Sequence, residues 1–122
     1  MSEKIQVIFC THVIPLDDTG ALHESQLRRL IDFLIEHGLT GLYHNGSTGE
    51  FTRFTEAERR RIIEIVADQS QRAGREVPVL AGAYEANVDL TVDTLNYYAD
   101  LGCQAGSIIA PFYYKMSQDS VR

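Results

Sequence analysis

Tryptophan is absent, and cysteine, proline and lysine are scarce: two cysteines, three prolines and two lysines in 122 residues. Cys10 and Cys103 form no Cys-x-x-Cys pair and belong to no His/Cys cluster with zinc spacing, which argues against a disulfide scaffold and a zinc module. Both lie in apolar stretches and are expected as buried thiols in a reducing compartment. No apolar run approaches membrane-spanning length. Met1-Ser2-Glu3-Lys4 lacks the basic region of a signal peptide, and the apolar run after it has no cleavage site, so a cytoplasmic location is expected. Net basic charge is missing too. The formal charge is −6, which argues against nucleic acid and anionic membranes as partners. The one basic run, Arg59-Arg60-Arg61, stands among Glu56, Glu58 and Glu64 and is predicted to be a solvated helix face laced with ion pairs.

What is present suffices for a core: 44% of residues are hydrophobic and 23% charged, an ordinary globular balance for one domain. The apolar runs alternate in period. "IQVIFC" (5–10) is short and β-branched, so it is predicted to be a buried strand. From Glu24 to His37 the apolar residues Leu27, Leu30, Ile31 and Leu34 follow helical spacing, with Gly38 as C-cap. "TGLYH" (40–44) is a second strand. Thr55 and Glu58 spell a capping box for a second helix that runs to about Ala73 and is closed by Gly74. "VPVLAG" (77–82) is a third strand. Asn87 caps a third helix, with Val88, Val92, Leu95 and Ala99 on one face and Gly102 at its end. "GSIIAP" (106–111) is a fourth strand. Strands joined through helices of this length are parallel, with right-handed crossovers. The fold class is therefore α/β. Two architectures fit: a small doubly wound sheet, or the N-terminal portion of a (β/α)₈ barrel with about four strands and three helices. In either, four parallel strands leave two open edges, so 1–122 is expected to be a single incomplete domain.

Between the second strand and second helix lies "HNGSTGEF" (44–51). It is not a phosphate loop, which requires a Lys-Ser/Thr after the last glycine where this chain has Glu50 and Phe51. Two interpretations remain. It is a tight strand-to-helix turn in which the Glu50 carboxylate satisfies backbone amides. Or it is an anion site, with Gly46 letting the backbone amides converge and Ser47 and Thr48 adding hydroxyl donors.

Gly46-Ser47-Thr48-Gly49-Glu50, placed after strand two, resembles the signature of the dihydrodipicolinate synthase / N-acetylneuraminate lyase family. The likeness extends through residues 27–66 and 77–118, and Pro111-Phe112-Tyr113-Tyr114-Lys115 is similar to the family's Pro-Tyr/Phe-Tyr stretch after strand four. The resemblance implies a TIM barrel, of which this chain would be the N-terminal part, since such barrels run to about 250 residues. It implies a class I aldolase or lyase that makes or breaks carbon–carbon bonds of 2-oxo acids through a lysine Schiff base, without metal or cofactor. Gly46, Ser47 and Thr48 would hold the carboxylate of pyruvate or a related 2-oxo acid. Tyr113 would reach into a neighbouring subunit's site as a proton relay, so a homo-oligomer, dimer or tetramer, is expected.

The nucleophile is what the chain does not supply. A Schiff-base lysine needs an amine that can be neutral near pH 7. Lys4 precedes strand one, at the wrong end of a barrel, and Lys115 follows Tyr114 in the exit loop of strand four. By resemblance the reactive lysine belongs to strand six and a further tyrosine to strand five, both beyond Arg122. The chain alone is expected to be inactive. An alternative is a non-catalytic truncated product or assembly module that pairs its open edges with another chain. His44 and Asn45 depart from the family, where apolar or small residues are usual. His12 and His44 fall at the same ends of adjacent strands, but two histidines without a third ligand are a weak metal signal, and none is expected.

Overall fold

In the computed structural model, residues 4–112 and 115–120 are described. The elements are β1 (Phe9–Thr11), α1 (Glu24–Glu36), β2 (Gly41–His44), α2 (Glu56–Gln71), β3 (Val79–Gly82), α3 (Val88–Asp100) and β4 (Ala105–Ser107). Single 3₁₀ turns cover Phe51–Arg53 and Gln118–Ser120. The alternation of strand and helix is the predicted one. The strands are shorter: residues 5–8 and 108–111 flank β1 and β4 without joining the sheet. Each is an outer strand with one neighbour, so their ends have no second ladder to hold them extended.

All four strands are parallel and ordered β1-β2-β3-β4. The register pairs Thr11 with Tyr43, Tyr43 with Leu80, and Leu80 with Ala105. Sequential order with right-handed crossovers puts every helix on one face, and α2 packs against both α1 and α3. A doubly wound sheet, with helices on both faces, is thereby replaced by one arc of a barrel.

The core fills the space between sheet and helices. Leu42 and Val79 from the strands meet Leu27 and Ile31 of α1 and Ile62, Ile65 and Val66 of α2. A second cluster joins Ile63, Ala81, Ala83 and Tyr98. Because strand side chains alternate faces, Leu42 and His44 point to the helices while Tyr43 points to the concave side.

Local chemistry explains the boundaries. The Thr55 hydroxyl accepts from the Glu58 amide while the Glu58 carboxylate accepts from the Thr55 amide, a complete capping box. Asn87 caps α3 through the Leu90 amide. Gly38, Gly74 and Gly102 take positive φ past the helix ends, where a side chain would be strained.

One predicted face is wrong. α3 buries Thr94 and Tyr98, and leaves Val88 and Val92 exposed. The helix is rotated so that its polar-capable residues meet α2, Thr94 accepting from Arg60. The two valines sit on a flank with no neighbouring element among the described residues. The cysteines are free and half-buried rather than fully buried, and burial pushes the Cys103 thiol up to about 11. No described helix is long and apolar enough to cross a membrane.

Candidate functional site: the concave mouth of the sheet

The segment after β2 turns at the C-terminal ends of the strands. Asn45 and Glu50 both adopt left-handed backbone conformations, at φ 58° and 52°, and bracket Gly46–Gly49. The Glu50 amide donates to the Ser47 carbonyl at 3.0 Å, and the Phe51 amide to the Gly46 carbonyl. By contrast, the amides of residues 46–49 donate to no carbonyl or side chain among the described residues. Ser47 and Thr48 are exposed, while Gly46 and Gly49 are buried. The Thr48 hydroxyl lies 3.3 Å from that of Thr11 at the end of β1, a residue that shares Tyr43's face of the sheet. The loop thus presents free amides and two hydroxyls at the strands' C-terminal rim, an arrangement suited to a small anion.

Glu50 does not serve as the predicted satisfier of backbone amides. It is exposed and caps nothing by its side chain, because its left-handed backbone carries the side chain out of the loop. Among Gly46, Ser47, Thr48 and Tyr113, the structure places the first three in one turn. Tyr113 lies outside the described residues.

A cluster that the sequence reading did not single out adjoins this turn. The phenol of Tyr43 contacts that of Tyr84, and the Tyr84 hydroxyl lies 2.8 Å from Ser107 Oγ. Tyr43 and Ser107 are 3.5 Å apart. Three hydroxyls from β2, the exit of β3, and β4 therefore meet on the concave face. Gly46 is packed on Tyr43: a Cβ there would stand 3.2 Å from the ring. The available signal was the period-2 alternation, which assigns residues 43, 82, 84 and 107 to one face.

His12 and His44 occupy the opposite, helix-facing side. Their rings meet edge to face with centroids 3.9 Å apart, and both are buried. Burial lowers the pKa of each, that of His44 well below 6.5. Among the described residues no group of three His, Cys, Asp or Glu side chains gathers to hold a metal. Asn45, next in the chain, donates to the Arg59 carbonyl at 3.1 Å and the Tyr98 hydroxyl at 3.2 Å, anchoring the start of the loop to α2 and α3. Arg59 in turn is held by both carboxylate oxygens of Glu85, at 2.7 and 2.6 Å. The predicted ion pairs of the Arg59–Arg61 run are present, but this one is buried rather than solvated.

Lys4 lines a groove with Glu76 and Gln104, residues that precede β3 and β4, so it sits at the end of the sheet away from the loop. Lys115 is exposed.

The sequence profile of the dihydrodipicolinate synthetase family matches residues 4–122. The 4-hydroxy-tetrahydrodipicolinate synthase of Methanosphaera stadtmanae is 35% identical over 114 residues, covering 91% of this chain and 37% of its own. That of Methanopyrus kandleri is 34% identical over 122 residues, covering 99% and 40%. Among solved structures, CdNal of Clostridium difficile, in complex with mannosamine, superposes with a TM-score of 0.87 at 30% identity, covering 98% of this chain and 40% of that one. YagE, a prophage protein of the dihydrodipicolinic acid synthase family from E. coli in complex with pyruvate, gives 0.79 at 31%, covering 91% and 38%. The chain spans about two fifths of the length of these relatives. Four parallel strands with the helices on one face are the corresponding arc of their TIM barrel, and the chain belongs to the dihydrodipicolinate synthetase family.

Proposed function

We propose that Gly46, Ser47 and Thr48 form the carboxylate clamp of a pyruvate-dependent aldolase or lyase that works through a lysine Schiff base. The observation that carries this is the turn itself: amides 46–49 without acceptors among the described residues, beside two hydroxyls, at the C-terminal ends of parallel strands. A carboxylate suits such a turn, because unengaged amides and hydroxyls are donors that an anion can accept from. The pyruvate complex of the 31% identical YagE supports the ligand class. Held by its carboxylate, a 2-oxo acid would present its keto carbon to an amine further round the barrel.

Neither lysine of this chain supplies that amine. Lys4 is at the opposite end of the sheet, and Lys115 is exposed rather than enclosed in a pocket. The 122-residue polypeptide therefore binds but does not catalyse. Tyr113 acts as a proton relay across a subunit boundary, in a cytoplasmic homo-oligomer. Incubation with pyruvate and borohydride followed by intact mass tests the first point, and no pyruvyl adduct is expected. A stoichiometric adduct on Lys115 would overturn it. Amide NMR shifts tests the clamp: millimolar pyruvate should move Gly46, Ser47, Thr48 and Gly49, and unmoved amides would sink it.

A second reading, an assembly module without catalysis, is favoured by one observation. Ile8 beside β1, and Ile108, Ile109 and Phe112 after β4, are exposed at the two outer edges of the sheet.

A further inference from the structure

We propose that Asn45 and Tyr98 are positioning residues for the carboxylate clamp: neither meets the ligand, and together they aim the amides that do. This rests on the clamp reading of Gly46–Thr48. Asn45 stands between β2 and the clamp, buried and in the left-handed conformation at φ 58°, which asparagine tolerates better than most side chains. Its Nδ2 donates at 3.1 Å to the Arg59 carbonyl of α2 and at 3.2 Å to the Tyr98 hydroxyl of α3. Only the NH₂ end can face a carbonyl, so the orientation of the side chain is fixed. The backbone is fixed as well. A Cβ on Gly82, the last residue of β3, would stand 2.5 Å from the Asn45 carbonyl oxygen, so the chain rests closely on the end of that strand.

One peptide plane links these contacts to the clamp. The Asn45 carbonyl and the Gly46 amide belong to the same planar unit, so whatever holds Asn45 sets where the first free amide of the clamp points. Held from α2, α3 and β3, that amide is aimed before an anion arrives, which spares the binding step the cost of ordering it. Oδ1 shows that the side chain serves direction more than stability. It is buried with no hydrogen-bond partner among the described residues, and an unmade buried acceptor offsets much of what the two donated bonds contribute. The Tyr98 ring packs in the core cluster of Ile63, Ala81 and Ala83, so Tyr98→Phe removes the hydroxyl and leaves the packing.

Pyruvate is titrated against the isotope-labelled protein, Asn45→Gly, Tyr98→Phe, the double variant and Ile65→Val, with the Kd read from the amide resonances of residues 46–49. Near-UV circular dichroism and thermal melting check that each variant is folded at the temperature used. Ile65 belongs to the core cluster that does not include Tyr98, so Ile65→Val lowers stability through packing alone. The Kd should rise about tenfold in Asn45→Gly and about threefold in Tyr98→Phe, and stay unchanged in Ile65→Val. The double variant should bind no more weakly than Asn45→Gly, because the Tyr98 hydroxyl acts through Asn45. An unchanged Kd in folded Asn45→Gly and Tyr98→Phe overturns the positioning role and leaves the clamp standing. So does a comparable rise in Ile65→Val, or a double variant whose loss is the product of the two single losses. If pyruvate moves none of these amides in the unsubstituted protein, the clamp falls, and this inference with it.

Discussion

His44 shows how one residue can oppose the fold it belongs to. Both its ring nitrogens are buried without a hydrogen-bond partner, as is Nε2 of His12. His12 Nδ1 lies 3.1 Å from the Val13 carbonyl, to which it donates. The pair is therefore held neutral, and its folded-state pKa values lie below the ordinary 6.5. In the unfolded chain both take up protons near 6.5, which the native state resists. Their contribution is complete above that pH and is lost as pH falls from about 6.5, at up to about 1.4 kcal/mol per pH unit for each histidine. The lowered carboxylates Asp17, Glu24, Glu64 and Asp68 act only below their ordinary 3.8 to 4.5, so a comparison of about pH 7.5 with about pH 5 isolates the histidines. Urea unfolding should show a clear drop in midpoint. His44→Leu should raise stability at the higher pH by about 1 kcal/mol and shrink the drop. A midpoint flat across that interval in the parent chain would refute the assignment. The sequence showed both histidines at adjacent strand ends. It did not show which face they occupied, because residue 12 follows β1 and the face depends on register with Tyr43 and His44.

At the scale of elements, the polar tie between helices and loops decides how firmly the site is held. Arg59, in the first turns of α2, reaches Glu85 in the loop between β3 and α3, and both side chains are about nine-tenths buried. The same helix turn accepts the Asn45 amide through the Arg59 carbonyl, and Tyr98 of α3 accepts from it too. Burial pushes the Tyr98 phenol up to about 12, so it stays a neutral partner. Glu85→Ala would leave the guanidinium buried and unpaired. It should cost about 3–5 kcal/mol in chemical denaturation. The double variant Arg59→Met/Glu85→Leu should recover most of the loss, because desolvation of both charges is then removed. If the double variant is no more stable than the single one, the pair is not the source. Helical spacing made the ion pairs of Arg60 and Arg61 with Glu56 and Glu64 legible, since those lie one turn away. Arg59's partner is 26 residues off, beyond any local pattern. The caps at Thr55 and Asn87 were readable for the opposite reason: their chemistry is contained within four residues. The face of α3 was misread because a valine stripe was weighed above Thr94 and Tyr98, whose hydroxyls have buried partners to meet.

For the molecule as a whole, the order of strands follows from the alternation of periods in the sequence, but closure does not. Among the described residues the arc has two outer strands, each with one neighbour, and the apolar residues Ile8, Ile108 and Ile109 lie exposed beside them. Val88 and Val92 extend the apolar surface on the flank of α3. Such edges offer unpaired amides and carbonyls together with apolar side chains, the combination that recruits another chain. The polypeptide of residues 1–122 should therefore associate in dilute solution. Light scattering on a size-exclusion column should report a mass well above the 13.7 kDa of one copy. Ile108→Lys together with Ile109→Lys places two charges beside β4 and should shift the population toward that single-copy mass, since charged edges resist pairing. Hydrogen exchange separates edge pairing from loose apolar contact. In the associated form, amides of β1 and β4 should become as protected as those of β2 and β3. A sharp single-copy peak that unfolds cooperatively would mean that the edges are sufficient as they stand, and the assembly reading would fall while the clamp remained.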